Sequence, residues 1–162
     1  EKLAGFDCEI VAADPYVEGE EMADYGVEKV PFDDLLDEAD HVSIHAPLTD
    51  ETRHMFDRAA FERMSDTAVL VNVGRGGIVD EDALAWALEG DEIAAAGLDV
   101  IEDEPLTDSA LADRDDVILT PHTAFYSEGS LTDLNEHVAT DIRAVLDGDE
   151  PAGSIDPEAE WL

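Results

Sequence analysis

The sequence predicts an α/β domain, a parallel sheet with helices on both faces, and three observations lead there. Short apolar runs rich in β-branched residues alternate with segments of helical period, joined by short links. The runs close on turn-forming or small residues, as at Asp14-Pro15, Pro47, Gly74 and Thr120-Pro121. The third is size: 162 residues, 44% of them apolar, suit one domain able to bury most of its apolar surface.

The elements follow in order. Cys8–Ala13 reads as a strand, with Cys8 as a core residue. The acids Glu18, Glu20 and Glu21 read as a solvated stretch. Phe32–Glu38 is expected to be a short helix, Val42–Ala46 a strand and Phe56–Met64 a helix. Ala68–Val73 is a β-branched run ended by glycines, and therefore a buried strand. Asp82–Glu89 places acids first and Gly90 after its last turn, as a helix is capped. Strands are expected at Ile93–Val100 and Val117–Leu119. A long helix is expected at Ser127–Leu146, with Leu131, Leu134, Val138, Ile142 and Val145 on one face and Gly148 at its end. Residues 1–148 are expected to form the folded domain. The tail 149–162, with Pro151 and Pro157, is expected to be loosely held.

Charge narrows the function classes. Asp and Glu number 43 against eight Lys and Arg, a net charge of −35. Self-repulsion of that size suits a salt-rich cytoplasm and a halophilic source, with the acids on solvated faces. No basic patch exists to neutralise phosphates, so nucleic acid is excluded as a partner. No apolar stretch reaches membrane-spanning length, so a membrane is not expected as a partner either. One cysteine leaves no internal disulfide and fits a reducing cytoplasm. No metal site is expected.

The motif N-V-G-R-G-G-I-V-D, residues 72–80, puts Arg75 among three glycines on a strand-to-helix link. In an open α/β sheet that is the carboxyl edge of a strand, where ligands bind. Glu104 and His122 follow two later strands at the same kind of edge. Reduction of a carbonyl by hydride needs a cation to hold and polarise the substrate and an acid to protonate the new alkoxide. An arginine fork suits the first task and a histidine the second. A neighbouring carboxylate would keep the imidazole charged. Each residue also has a plainer reading: a loop arginine pairing with an acid such as Asp80, a solvated glutamate, a capping histidine. A dinucleotide fold should open on G-x-G-x-x-G about 20 residues before its ribose-binding acid. Asp14 is the natural acid, yet only 13 residues precede it and the fingerprint is absent.

"NVGRGGIVDEDAL", "AAAGLDVIEDEPL" and "VILTPHTAFYSEGSL" together resemble the three signatures of the D-isomer-specific 2-hydroxyacid dehydrogenases. "HVSIHAPLTDETRHMF" and "AADPYV" match in the same order, so the resemblance covers residues 3 to about 148. It implies a Rossmann-type fold, here lacking the first strand and glycine-rich loop, with the substrate domain outside this chain. It also implies NAD as cofactor and reversible reduction of a small 2-oxo acid to the 2-hydroxy acid. On the family pattern Arg75 binds substrate, Glu104 pairs with the histidine and His122 is the acid/base. Asp14 would hold the adenosine ribose, Asp99 would face the nicotinamide, and Pro47, Thr52, Val73 and Gly74 would line the cofactor. The expected assembly is a homodimer. The aromatic pair after His122 leans toward the corepressor-like branch. Two other readings are an NAD-sensing binding protein with vestigial activity and, since the first strand and glycine-rich loop are lacking here, an inactive structural fragment. Of the other histidines, His41 and His137 read as capping or surface residues and His54 as a loop residue beside Arg53. His45, at a strand end, is a further position for cofactor contact, and Trp86 reads as core or interface.

Overall fold

A computed structural model of the chain describes residue 3 and residues 5–104 and 109–155. It divides into two compact units, Glu1–Pro121 and His122–Leu162.

In the first unit β1 (Val11–Ala12) pairs in parallel with β2 (Glu28–Lys29), and α1 (Gly19–Ala23) lies between them in sequence. Then come α2 (Phe32–Glu38), β3 (His41–Ile44), α3 (Arg58–Phe61), β4 (Val69–Asn72), a 3-10 turn (Gly76–Ile78), α4 (Glu81–Glu89), β5 (Ala95–Leu98) and β6 (Val117–Leu119). The last four strands form one parallel sheet in the order β3-β4-β5-β6. This is a Rossmann-like parallel α/β fold, with β1 and β2 in a separate two-stranded sheet.

Alternation along the strands decides where the core sits. Val42, Ile44, Leu70, Ala96 and Leu98 are buried, while their neighbours Val69, Val71, Ala95 and Gly97 on the other face are half-buried. The sealed face packs with Phe56, Phe61, Ile78, Leu84, Leu88 and Ile93. Phe32 meets Phe56 edge-on at 5.4 Å. Burying each large side chain stabilises by about 1.5–3 kcal/mol.

Several boundaries differ from expectation for local reasons. The helix expected from Phe56 begins later, because Phe56 bridges in parallel to Val79 and the Asp57 carboxylate caps α3 by accepting the Ala60 N–H at 3.0 Å. β4 stops at Asn72, one residue early, because the Asn72 side chain starts the next turn. α1 and β2 were not expected: α1 is the solvated acidic stretch itself, wound round the buried Met22. β2 is two exposed charged residues whose extended form comes from pairing. Cys8 corrects the expectation of a core residue: it is exposed, because pairing with β2 reaches only Val11 and Ala12. Trp86 is half-buried under the Arg58 guanidinium, 3.8 Å from the ring centroid.

The second unit is built on α5 (Glu128–Asp147). Ser127 Oγ accepts the Ser130 N–H at 3.0 Å, and Gly148, at φ +82, ends the helix in the left-handed conformation. Asp141 Oδ1 accepts the Ala152 N–H at 3.1 Å, which ties the start of the expected tail to α5. Pro157 and the rest of 156–162 lie outside the described residues. Among the described residues no helix is long and apolar enough to cross a membrane.

Candidate functional site

The turn after β4 is organised by Asn72, whose side chain is fully buried. Its Oδ1 accepts the Gly74 N–H at 3.0 Å, and its Nδ2 donates to the Arg75 carbonyl at 3.0 Å. One carboxamide thus satisfies two backbone groups and fixes the path of Val73, Gly74 and Arg75. A Cβ on Gly74 would lie 3.5 Å from the carbonyl oxygens of Ile44 and Ala46, so this turn runs close along the end of β3. Val73 is 39% exposed beside it.

Arg75 is exposed, and its Nη1 donates to the Gly74 carbonyl at 2.8 Å. Among the described residues no carboxylate forms an ion pair with it. Asp80, the acid a plain loop pairing would use, instead caps α4 by accepting the Ala83 N–H at 3.0 Å.

The next residue packs directly on another loop. A Cβ on Gly76 would fall 1.8 Å from the Ile101 carbonyl oxygen and 2.6 Å from the Glu102 nitrogen. Only glycine permits that approach. The loop it touches leads to Glu104, which is exposed and accepts the Ile101 N–H at 3.4 Å. Arg75 and Glu104 therefore sit on two loops in backbone contact. Asp99, 6% exposed at the end of β5, donates its N–H to the Asn72 carbonyl at 2.9 Å and accepts the Thr120 hydroxyl at 2.5 Å.

After β3, the Thr52 hydroxyl donates to the Pro47 carbonyl at 2.6 Å and accepts the Thr49 N–H at 2.8 Å, closing the turn that carries both. This loop is stitched to the Arg75 turn by the His54 N–H on Gly77 and the Phe56 N–H on Ile78. Asp14 follows β1, half-buried, and its Oδ1 accepts the Tyr16 N–H at 2.8 Å. His122 opens the second unit, exposed and at φ +53, a sparse conformation for a residue other than glycine. Phe125 and Tyr126 beyond it are exposed and meet edge-on at 6.4 Å. His45 Nε2 lies 2.9 Å from Ser43 Oγ.

The structure thus groups Pro47, Thr52, Val73, Gly74, Arg75, Asp99 and Glu104 on three adjoining strand-end loops. Asp14 follows β1 of the two-stranded sheet, and His122 is the first residue of the second unit. Sequence reasoning singled out neither Asn72 nor Glu102, and read His54 only as a loop residue. The signal for Asn72 was on view, since a polar amide ending an apolar strand run needs buried partners. Nothing local marked the others.

Known proteins are similar to this chain in sequence and fold. The family described as "D-isomer specific 2-hydroxyacid dehydrogenase, NAD binding domain" matches residues 1–124. A D-3-phosphoglycerate dehydrogenase of Mycobacterium leprae is 39% identical over 148 residues, 91% of this chain and 28% of its own length. A glyoxylate reductase of Korarchaeum cryptofilum is 41% identical over 158 residues, 97% of this chain and 48% of its own. The NAD-complexed D-isomer specific 2-hydroxyacid dehydrogenase of Lactobacillus delbrueckii superposes with a TM-score of 0.84 at 32% identity, over 96% of this chain and 50% of that one. The chain spans half or less of the length of these relatives. It belongs to the NAD-binding-domain family of the D-isomer-specific 2-hydroxyacid dehydrogenases.

Proposed function

We propose that this chain carries the cofactor-binding and proton-transfer residues of an NAD-dependent oxidoreductase that interconverts a small 2-hydroxy acid and its 2-oxo acid. One observation carries the reading. In a chain with 43 acids, the Arg75 guanidinium is exposed on a rigid turn and pairs with no carboxylate among the described residues. A planar fork left without an anion suits a substrate carboxylate.

The donor set also fits NAD. The Asp14 carboxylate has lone pairs left for the two ribose hydroxyls, and the acids Glu18, Glu20 and Glu21 nearby in sequence disfavour a 2′-phosphate. Bound NAD supplies the hydride acceptor in oxidation and, reduced, the donor in the reverse direction. The remaining steps belong to the chain. Arg75 holds the substrate carboxylate and polarises the C2 carbonyl. The His122 imidazole gives a proton to the C2 oxygen as the 2-oxo acid is reduced and takes it back in oxidation. Glu104 is the carboxylate that pairs with His122. Asp99 faces the nicotinamide, Pro47, Thr52, Val73 and Gly74 line the cofactor, and the working unit is a homodimer.

Arg75→Lys tests this in the native protein. Lysine keeps the charge but loses the bidentate fork, so kcat/KM for the 2-oxo acid should fall about 10²-fold or more, each charge-assisted hydrogen bond contributing roughly 1.5–3 kcal/mol. NADH binding and melting temperature should hold. Unaltered kinetics would remove Arg75 from the substrate site.

A further inference from the structure

Three strand-end loops are pinned together by side chains that the proposed chemistry does not use. Glu102 Oε1 accepts the Glu81 N–H at 3.1 Å, and Glu81 Oε1 accepts the Glu102 N–H at 2.6 Å. Glu102 Oε2 lies 3.0 Å from His54 Nε2, while His54 Nδ1 lies 3.9 Å from Asp80 Oδ2. Ser109 Oγ donates to Glu81 Oε2 at 3.4 Å. The His54 backbone N–H reaches the Gly77 carbonyl at 2.9 Å. Glu102 thus joins the loop after β3, the start of α4 and its own loop after β5, two residues before Glu104. Its peptide nitrogen is also where Gly76, next to Arg75, makes its close approach.

The cluster makes a poor stabiliser. It sets two carboxylates against each other in a chain of net charge −35, with one imidazole between Glu102 and Asp80. The His54 and Glu102 side chains remain 40% and 32% exposed, and pairs so exposed contribute little to global stability. What the cluster does accomplish is geometric. Hydrogen bonds at both the backbone and the side chain of Glu102 leave its loop little freedom to move relative to the Arg75 turn. We propose that Glu102, held by His54 and the Glu81 N–H, is a positioning residue that sets the spacing between Arg75 and Glu104. The proposal rests on the functional reading above.

The test uses the native protein, glyoxylate and pyruvate as substrates, and hydrogen–deuterium exchange of residues 73–79 and 101–104. Glu102→Ala should lower kcat about tenfold or more, since small misplacements of reacting groups are costly. NADH affinity should stay within about twofold and melting temperature should barely move, as expected for an exposed pair. Glu102→Gln keeps an acceptor for the Glu81 N–H and should recover much of the loss. Exchange should rise in both segments. Unchanged kcat, or exchange rising in 101–104 alone or in neither segment, would overturn the proposal. His54→Gln, an exposed substitution, gives the same readings if Glu102→Ala fails to fold. A parent protein without turnover would remove the functional reading instead, and the exchange data would still judge the clamp.

Discussion

Two regions of this molecule begin from the same sequence grammar and finish differently. The first runs from β4 through the Arg75 turn to α4; the second is α5. Both helices start on a side-chain cap, Asp80 on the Ala83 N–H and Ser127 on the Ser130 N–H, and both end at a glycine. Both carry an apolar stripe. In α4 that stripe is sealed, with Ala83, Leu84, Ala87 and Leu88 buried. In α5 no described residue is buried, and Leu134, Val138, Ile142 and Val145 are 49 to 61% exposed. Period and caps specify a helix and its apolar side, since both act within a turn or two of the chain. Burial is a property of whatever lies against that side.

The largest effect on turnover in the first region is expected from Gly76→Ala. Its Cβ would meet the Ile101 carbonyl oxygen at 1.8 Å, a backbone atom with no rotamer to give way. Stability should fall by about 1–3 kcal/mol or more. Turnover should fall about 10²-fold as the Arg75 and Glu104 loops part. Steady-state kinetics and a urea titration would check both, and a variant behaving as wild type would mean the loops separate without strain.

Paired truncations sharpen the comparison of the stripes themselves. Leu84→Ala should cost about 2–5 kcal/mol, because the site is fully enclosed. Ile142→Ala, at 56% exposure, should cost about 0.5 kcal/mol or less. Equal losses in denaturant midpoints would show that the α5 stripe is covered in the native protein.

The smallest effect belongs to the entry into β6. Arg114 holds Asp116 bidentately, Nε to Oδ1 at 2.8 Å and Nη2 to Oδ2 at 2.7 Å. The hydrogen bonds from Arg114, and then its charge, hold the Asp116 carboxyl below its ordinary value of 3.8. A lowered folded value means the contact stabilises above the unfolded value and loses that contribution as pH falls through the folded one. Arg114→Ala should therefore slightly lower melting temperature near neutrality and leave it unchanged well below pH 3.8. A difference that persists at the lowest pH would assign the effect to packing of the arginine stem.

The sequence by itself determined the class of fold, most of its strands and helices in chain order, the glycine ends of α4 and α5, and the Arg75 turn as the place to look. Those signals are local: apolar period, turn-forming residues and capping side chains act over a few neighbouring positions. The weakest local signals were also the ones misread, with α1 hidden in an acidic run, β2 made by pairing and Cys8 left beyond the paired residues. Only the tertiary structure decided that Arg75 keeps no acidic partner among the described residues, because Asp80 is spent on a cap. It also decided that Gly76 must be glycine and that His54 meets Glu102 from 48 residues away. Such contacts depend on how β3, β4 and β5 align in the sheet, a register that no run of neighbouring residues encodes.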